Sequence, residues 1–118
     1  MCGITGFVTP YSFNKDQAAS ILQAMTDSLV HRGPDAFGHW IDSNGLVALG
    51  HRRLSILDLS DAGSQPMSSK CGRFVITFNG EIYNHLALRK ELEQKISFNW
   101  NGTSDTETLI EAISYWGL

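Results

Sequence analysis

The sequence predicts a single α+β domain, and three observations lead there. Asn44-Gly45, set between two apolar runs, marks an antiparallel β-hairpin. Stretches beginning at Asn14, Asn84 and Ser104 each combine a helix-capping residue with apolar residues at helical spacing. The 118 residues are 42% hydrophobic and 18% charged, which suits one modest globular core rather than a disordered chain.

The elements follow in order. Apolar and β-branched residues from Ile4 to Thr9 predict a strand that Pro10 ends, with Gly3 and Gly6 leaving room for something to approach the backbone. Asn14 caps a helix, with Gln17 in the reciprocal position, and Ala18, Ile21, Leu22, Met25 and Leu29 form its core stripe. That helix should stop around His31-Arg32, with Gly33 left-handed at C′ and Pro34 preventing continuation. Residues 38–41 and 46–51 are the hairpin strands, 51–60 is half strand and half loop, and 60–67 is a long turn. Residues 73–78 alternate as a central strand does and run straight into Asn79-Gly80-Glu81. Asn84 opens a helix through Lys95 with Leu88 and Leu92 inward and Arg89, Lys90, Glu91, Glu93 and Lys95 as a solvated face. A short strand at 98–100 turns out at Asn101-Gly102. Ser104 and Glu107 then form a capping box, opening a last helix in which Leu109, Ile110, Ile113 and Trp116 pack together.

Composition excludes several classes of function. The net charge of −3, with no basic run, gives no electrostatic case for nucleic acid or an anionic membrane. No apolar run approaches the ~20 residues of a membrane span, and the N-terminus is not built like a signal peptide. Two cysteines, Cys2 and Cys71, allow one bridge at most, so a reducing cytoplasm is the expected location. The four histidines lack metal-ligand spacing, no metal site is expected, and there is no glycine-rich phosphate loop.

A few residues carry possible chemistry. Removal of Met1 would place a thiol and a free α-amine on Cys2, and an adjacent amine can activate a nucleophile. Cys2 can equally be a small buried hydrophobe opening a strand. Asn79-Gly80, where a strand ends in a tight turn, offers an amide and a backbone N–H, the two donors an oxyanion needs; it is also a common turn. Arg53 stands among small and apolar residues, with a fork suited to a substrate carboxylate or to a structural pair with Asp58 or Asp61. Arg52, next door, should point the other way. Asp105 suits the first turn of a helix in any case, and with Glu81 it could hold a substrate ammonium.

Six blocks occur together in order: Met1-Cys2-Gly3-Ile4; His31-Arg32-Gly33-Pro34-Asp35; Gly50 to Ile56; Gln65-Pro66; Asn79 to Asn84; and Ser104 to Glu107. This arrangement resembles the class II glutamine amidotransferases, and most of all the glutaminase domain of glutamine-hydrolysing asparagine synthetase. Pro34-Asp35 and Leu54-Ser55-Ile56 match that type. The resemblance implies an N-terminal nucleophile hydrolase fold, an αββα sandwich of antiparallel sheets. It implies that Cys2 attacks the glutamine side-chain amide, that Asn79 and Gly80 form the oxyanion hole, and that Arg53 grips the α-carboxylate. Glu81 and Asp105 would lie near the α-amine, with Arg32 lining the pocket. The glutaminase step would need no cofactor; ATP and Mg2+ would serve a C-terminal synthetase domain that makes asparagine. Such glutaminase domains are nearer ~200 residues, an ordinary domain size. Residues 1–118 are therefore expected to be the N-terminal part of one, truncated before the second half of the sandwich and prone to form homo-oligomers. Two other readings stay open: a non-catalytic glutamine-binding module, and an amidotransferase-like domain serving another acceptor or another amide.

Overall fold

The computed structural model describes residues 1–54 and 60–118. Half of the 51–60 stretch (55–59), with the Ser55-Ile56 part of one motif and the Asp58 alternative for Arg53, lies outside the described residues. What is described is an α+β arrangement of antiparallel sheets and three helices.

The hairpin lies at its centre. Strand β3 (Val47–Arg53) pairs on one side with β1 (Gly3–Val8) and on the other with β2 (Ala36–Ile41), both antiparallel. His51 lies opposite Ile4 on one side and Gly38 on the other. The connection is set by Asp42, whose carboxylate accepts from the backbone N–H groups of Leu46 and Val47 at 2.6 and 2.8 Å. These bonds, Val47's foremost, hold the carboxyl below its ordinary value. Gly45 takes φ +66°, the left-handed region that Asn-Gly turns need.

Helix α1 (Lys15–Asp27) covers one face of this sheet, burying Ala18, Leu22 and Thr26. Asn14 does cap it, but accepts from the Asp16 amide rather than forming the expected box with Gln17. Ile21, expected in the core stripe, is 41% exposed, because the buried line runs 18–22–26. The helix also ends earlier than its periodicity suggests. The Thr26 hydroxyl donates to the Leu22 carbonyl and that of Ser28 to Met25, and tighter turns follow through Arg32. Gly33 is not left-handed. Its role is close approach: a Cβ there would lie 2.5 Å from the Arg52 carbonyl carbon and 2.6 Å from the Arg53 nitrogen. The turn rests directly on the end of β3.

The second sheet is small. Of the expected central strand 73–78, only β5 (Val75–Ile76) forms a ladder, with β4 (Met67–Ser68). Beyond Ile76, side chains replace strand bonds: Gln65 Oε1 accepts from the Phe78 N–H at 2.6 Å, and the Thr77 hydroxyl donates to the Gly50 carbonyl. The turn before β4 holds a 3-10 turn at Asp61–Gly63 and a cis Gln65–Pro66 bond.

Helices α2 (His85–Lys95) and α3 (Asp105–Trp116) pack on each other through Leu92 and Ile110, both fully buried, and α3 also packs on β4. Asn84 opens α2 with its carbonyl, which accepts from Ala87 and Leu88; its side chain makes no capping bond. Ser104 caps α3 by accepting from Thr106, whereas Glu107 reaches past it to the amides of Asn101 and Gly102. The expected strand at 98–100 is absent; instead the Phe98 and Trp100 rings lie 4.4 Å apart, and Trp100 donates to Glu93. Trp116, expected in the α3 packing face, is 44% exposed against Tyr115. Among the described residues no helix is long and apolar enough to cross a membrane.

Candidate active site

An open cleft of about 510 Å³ runs between the end of the first sheet and the N-terminus of α3. That volume suits a small polar ligand. Six chain segments line it: Cys2, the end of β3, the turn at Gly63 and Gln65, the loop after β5, His85 at the start of α2, and residues 103–106.

Cys2 comes to the cleft because β1 and β3 are in register, with Gly3 opposite Arg52. Its half-buried Sγ lies 3.5 Å from the Leu54 backbone nitrogen, which donates to it. Behind it, Arg32 Nε donates to the Cys2 carbonyl at 3.3 Å. Arg32 is not among the residues lining the cleft and touches it only through Cys2.

Alternation along β3 divides its two arginines. Arg52 turns to α1, paired with Asp27 at 2.6 Å, donating to the Thr26 carbonyl and lying over the Phe37 ring. Arg53 turns to the cleft, where Nη1 donates to the Ser60 carbonyl at 3.0 Å. Gly63 lies against the same guanidinium: a Cβ there would come within 3.0 Å of Nη2.

Asn79, Gly80 and Glu81 are exposed on the cleft rim. Their loop is tied down at both ends. At the front, Gln65 accepts from Phe78 and donates to Thr106 at 3.3 Å. At the back, Asp105 Oδ2 accepts from the Ile82 N–H at 2.8 Å. One cleft thus gathers a thiol, a guanidinium, an amide beside a glycine N–H, and two carboxylates. A zwitterionic amino acid would find a cation for its carboxylate and anions for its ammonium there.

Two cleft histidines are among the residues that escaped the sequence reading. His51 lies two residues before Arg53 on a strand and so shares its face; that spacing could have found it. The ring is buried, and Nε2 has no hydrogen-bond partner among the described residues. Burial pushes its pKa below the ordinary value, the Phe78 backbone opposes this, and the Arg53 charge adds to it. His85 is the other, with Nδ1 buried and likewise unpartnered. Nothing in the local sequence marks it out. Among the described residues no group of three or more His, Cys, Asp or Glu side chains could hold a metal ion.

Similar proteins were found along the whole chain. Asparagine synthetase [glutamine-hydrolyzing] 1 of Bacillus subtilis is 42% identical over 98% of this chain, and the amidase chry2 of Gibberella zeae is 36% identical over all of it. A putative asparagine synthetase [glutamine-hydrolyzing] of Methanocaldococcus jannaschii is 34% identical over 99%. The chain spans 18%, 18% and 24% of the length of these three relatives. Residues 1–118 match a family described as the glutamine amidotransferase domain, and the chain belongs to that family.

Proposed function

We propose that this chain is the N-terminal part of a glutaminase domain, hydrolysing glutamine to glutamate and ammonia through a thioester on Cys2. The observation that supports this best is the convergence of Cys2, Arg53, Asn79-Gly80, Glu81 and Asp105 on one cleft. Met1 is 78% exposed, so its peptide bond is open to removal, which leaves the Cys2 α-amine free. The amine takes the thiol proton as Sγ attacks the glutamine side-chain carbonyl carbon. Negative charge gathers on the carbonyl oxygen, and the Asn79 amide and Gly80 N–H stabilise it. The C–N bond then breaks, the protonated amine supplies the proton, and ammonia leaves. Water hydrolyses the thioester, releasing glutamate and restoring the thiol. Arg53 holds the α-carboxylate, Glu81 and Asp105 the α-ammonium. Arg32 acts behind the site by fixing the Cys2 carbonyl.

The step uses no cofactor. Ammonia would pass to a C-terminal synthetase domain, where ATP and Mg2+ would drive asparagine formation from aspartate; the relatives named asparagine synthetases support that acceptor. The overall architecture would be half of an N-terminal nucleophile hydrolase sandwich, with antiparallel sheets and flanking helices already in place. The expected location is the cytoplasm, and exposed Ile4 and Val8 on β1 favour self-association.

A second reading, a domain serving another acceptor or amide, is favoured by the amidases chry2 and chyE of Penicillium rubens, at 36% and 38% identity. Intact mass after incubation with 6-diazo-5-oxo-L-norleucine tests the glutaminase. The chain lacking Met1 should gain one adduct, and Cys2→Ala should gain none. A processed chain that stays unlabelled sinks the proposal.

A further inference from the structure

Arg89 belongs by sequence to a charged helix face, yet it is buried, and its guanidinium faces α3 rather than water. Its bonds are unusually complete. Nε donates to the Thr108 hydroxyl at 2.8 Å, Nη1 to the Gly102 carbonyl at 2.7 Å, and Nη2 to the Ser104 carbonyl at 2.8 Å. Glu107 Oε2 lies 3.5 Å from Nη2, and the guanidinium carbon sits 4.1 Å over the Trp100 ring. Glu107, equally buried, accepts from the N–H groups of Asn101 and Gly102 at 2.7 and 3.0 Å. One buried ion pair therefore holds segment 101–104 from both sides, its carbonyls by the cation and its amides by the anion.

That segment leads into the cleft. Thr103, Ser104 and Asp105 line it, whereas Arg89 does not. Asp105 follows directly on Ser104, whose carbonyl Arg89 grips, and its carboxylate fastens Ile82 and with it the Asn79–Glu81 loop. We infer that Arg89 is a positioning residue: clamped by Glu107, it sets the Asp105 carboxylate at the height where a substrate α-ammonium is recognised. The recognition part rests on the glutaminase reading; the positioning part rests on the bonds alone. A lysine cannot replace it, because one ammonium does not offer a planar fork to acceptors on three residues.

The effect is on selectivity. The α-ammonium lies remote from the reacting carbonyl, so a misplaced Asp105 removes binding common to ground and transition states. A hydrogen bond between charged groups contributes enough for a change of about 10-fold.

The test is Arg89→Lys in the chain lacking Met1, with two readouts. The first needs no activity: hydrogen exchange at the Ile82 amide should speed up by at least about 10-fold, while amides in α1 keep their protection. Unchanged Ile82 exchange overturns the inference. So does faster exchange everywhere, which marks Arg89 as merely structural. The second compares glutamine with glutaramate, the same amide without the α-amine. The ratio of their kcat/KM values should fall about 10-fold, through KM for glutamine. Equal losses on both substrates overturn the recognition role. A wild-type chain that turns over neither overturns the glutaminase reading, and Ile82 exchange still decides the positioning role. Should Arg89→Lys fail to fold, Glu107→Gln, which keeps an acceptor but removes the charge, must speed Ile82 exchange for the inference to stand.

Discussion

At the scale of single residues, the molecule places ionisable groups where their protonation matters. Burial lowers the pKa of His51, with the Arg53 charge acting in the same direction. A base whose folded pKa is depressed binds fewer protons folded than unfolded, so acid favours unfolding. Its contribution is complete above the unfolded value of 6.5 and is lost as pH falls through the lower folded value. His39 behaves alike: burial lowers it, Asp27 opposes this, and Arg52 adds to the lowering. The melting temperature should therefore drop as pH falls below 6.5 toward the lower folded values, and His51→Gln should make that drop shallower. Calorimetry across that range checks it; an identical slope in the variant would show that His51 does not titrate on unfolding. Cys2 was visible from the sequence because position 2 is chemically special. Arg89 was not, because a charge at a helical spacing looks the same whether its partner is water or a carbonyl thirteen residues away.

At the scale of elements, the turn after α1 is where local signals and tertiary packing part company. Gly33 and Pro34 announce a helix end, and the chain does turn there, but Thr26 and Ser28 stop the helix first by bonding back to it. The glycine is needed because β3 lies against it. Gly33→Ala should force the turn off the sheet and cost about 1–3 kcal/mol, as overpacking does. Urea denaturation measures this; an unchanged midpoint would mean the turn yields freely. The pattern of success follows the same physics. The hairpin and all three helices were legible because caps, Asn-Gly and periodicity are local. The strand expected at 73–78 was legible only as β-prone sequence. Whether it pairs depends on neighbours remote in the chain, and beyond Ile76 Gln65 takes the place of a strand. The same limit applies to the cleft: the segments could be named, but not that Gln65 and His85 would join them.

At the scale of the whole molecule, the two faces of the first sheet differ. One carries α1, while on β1 Ile4 and Val8 stay 49% and 79% exposed. Val8→Lys should shift the chain toward monomer in light scattering, by adding charge to an apolar edge strand. Equal mass for both proteins at every concentration would remove the case for association through β1. The cleft raises a different matter, one of timing during synthesis. Its lining begins at Cys2 and is completed only by residues 103–106. A chain emerging from the ribosome presents its first residues long before α3 exists to close the site, so Met1 can be trimmed while Cys2 still has no pocket around it. On the proposed glutaminase reading, the Cys2 amine would then be freed before there is anywhere for substrate to bind, and the start of α3 would be the piece that brings the proposed nucleophile into use.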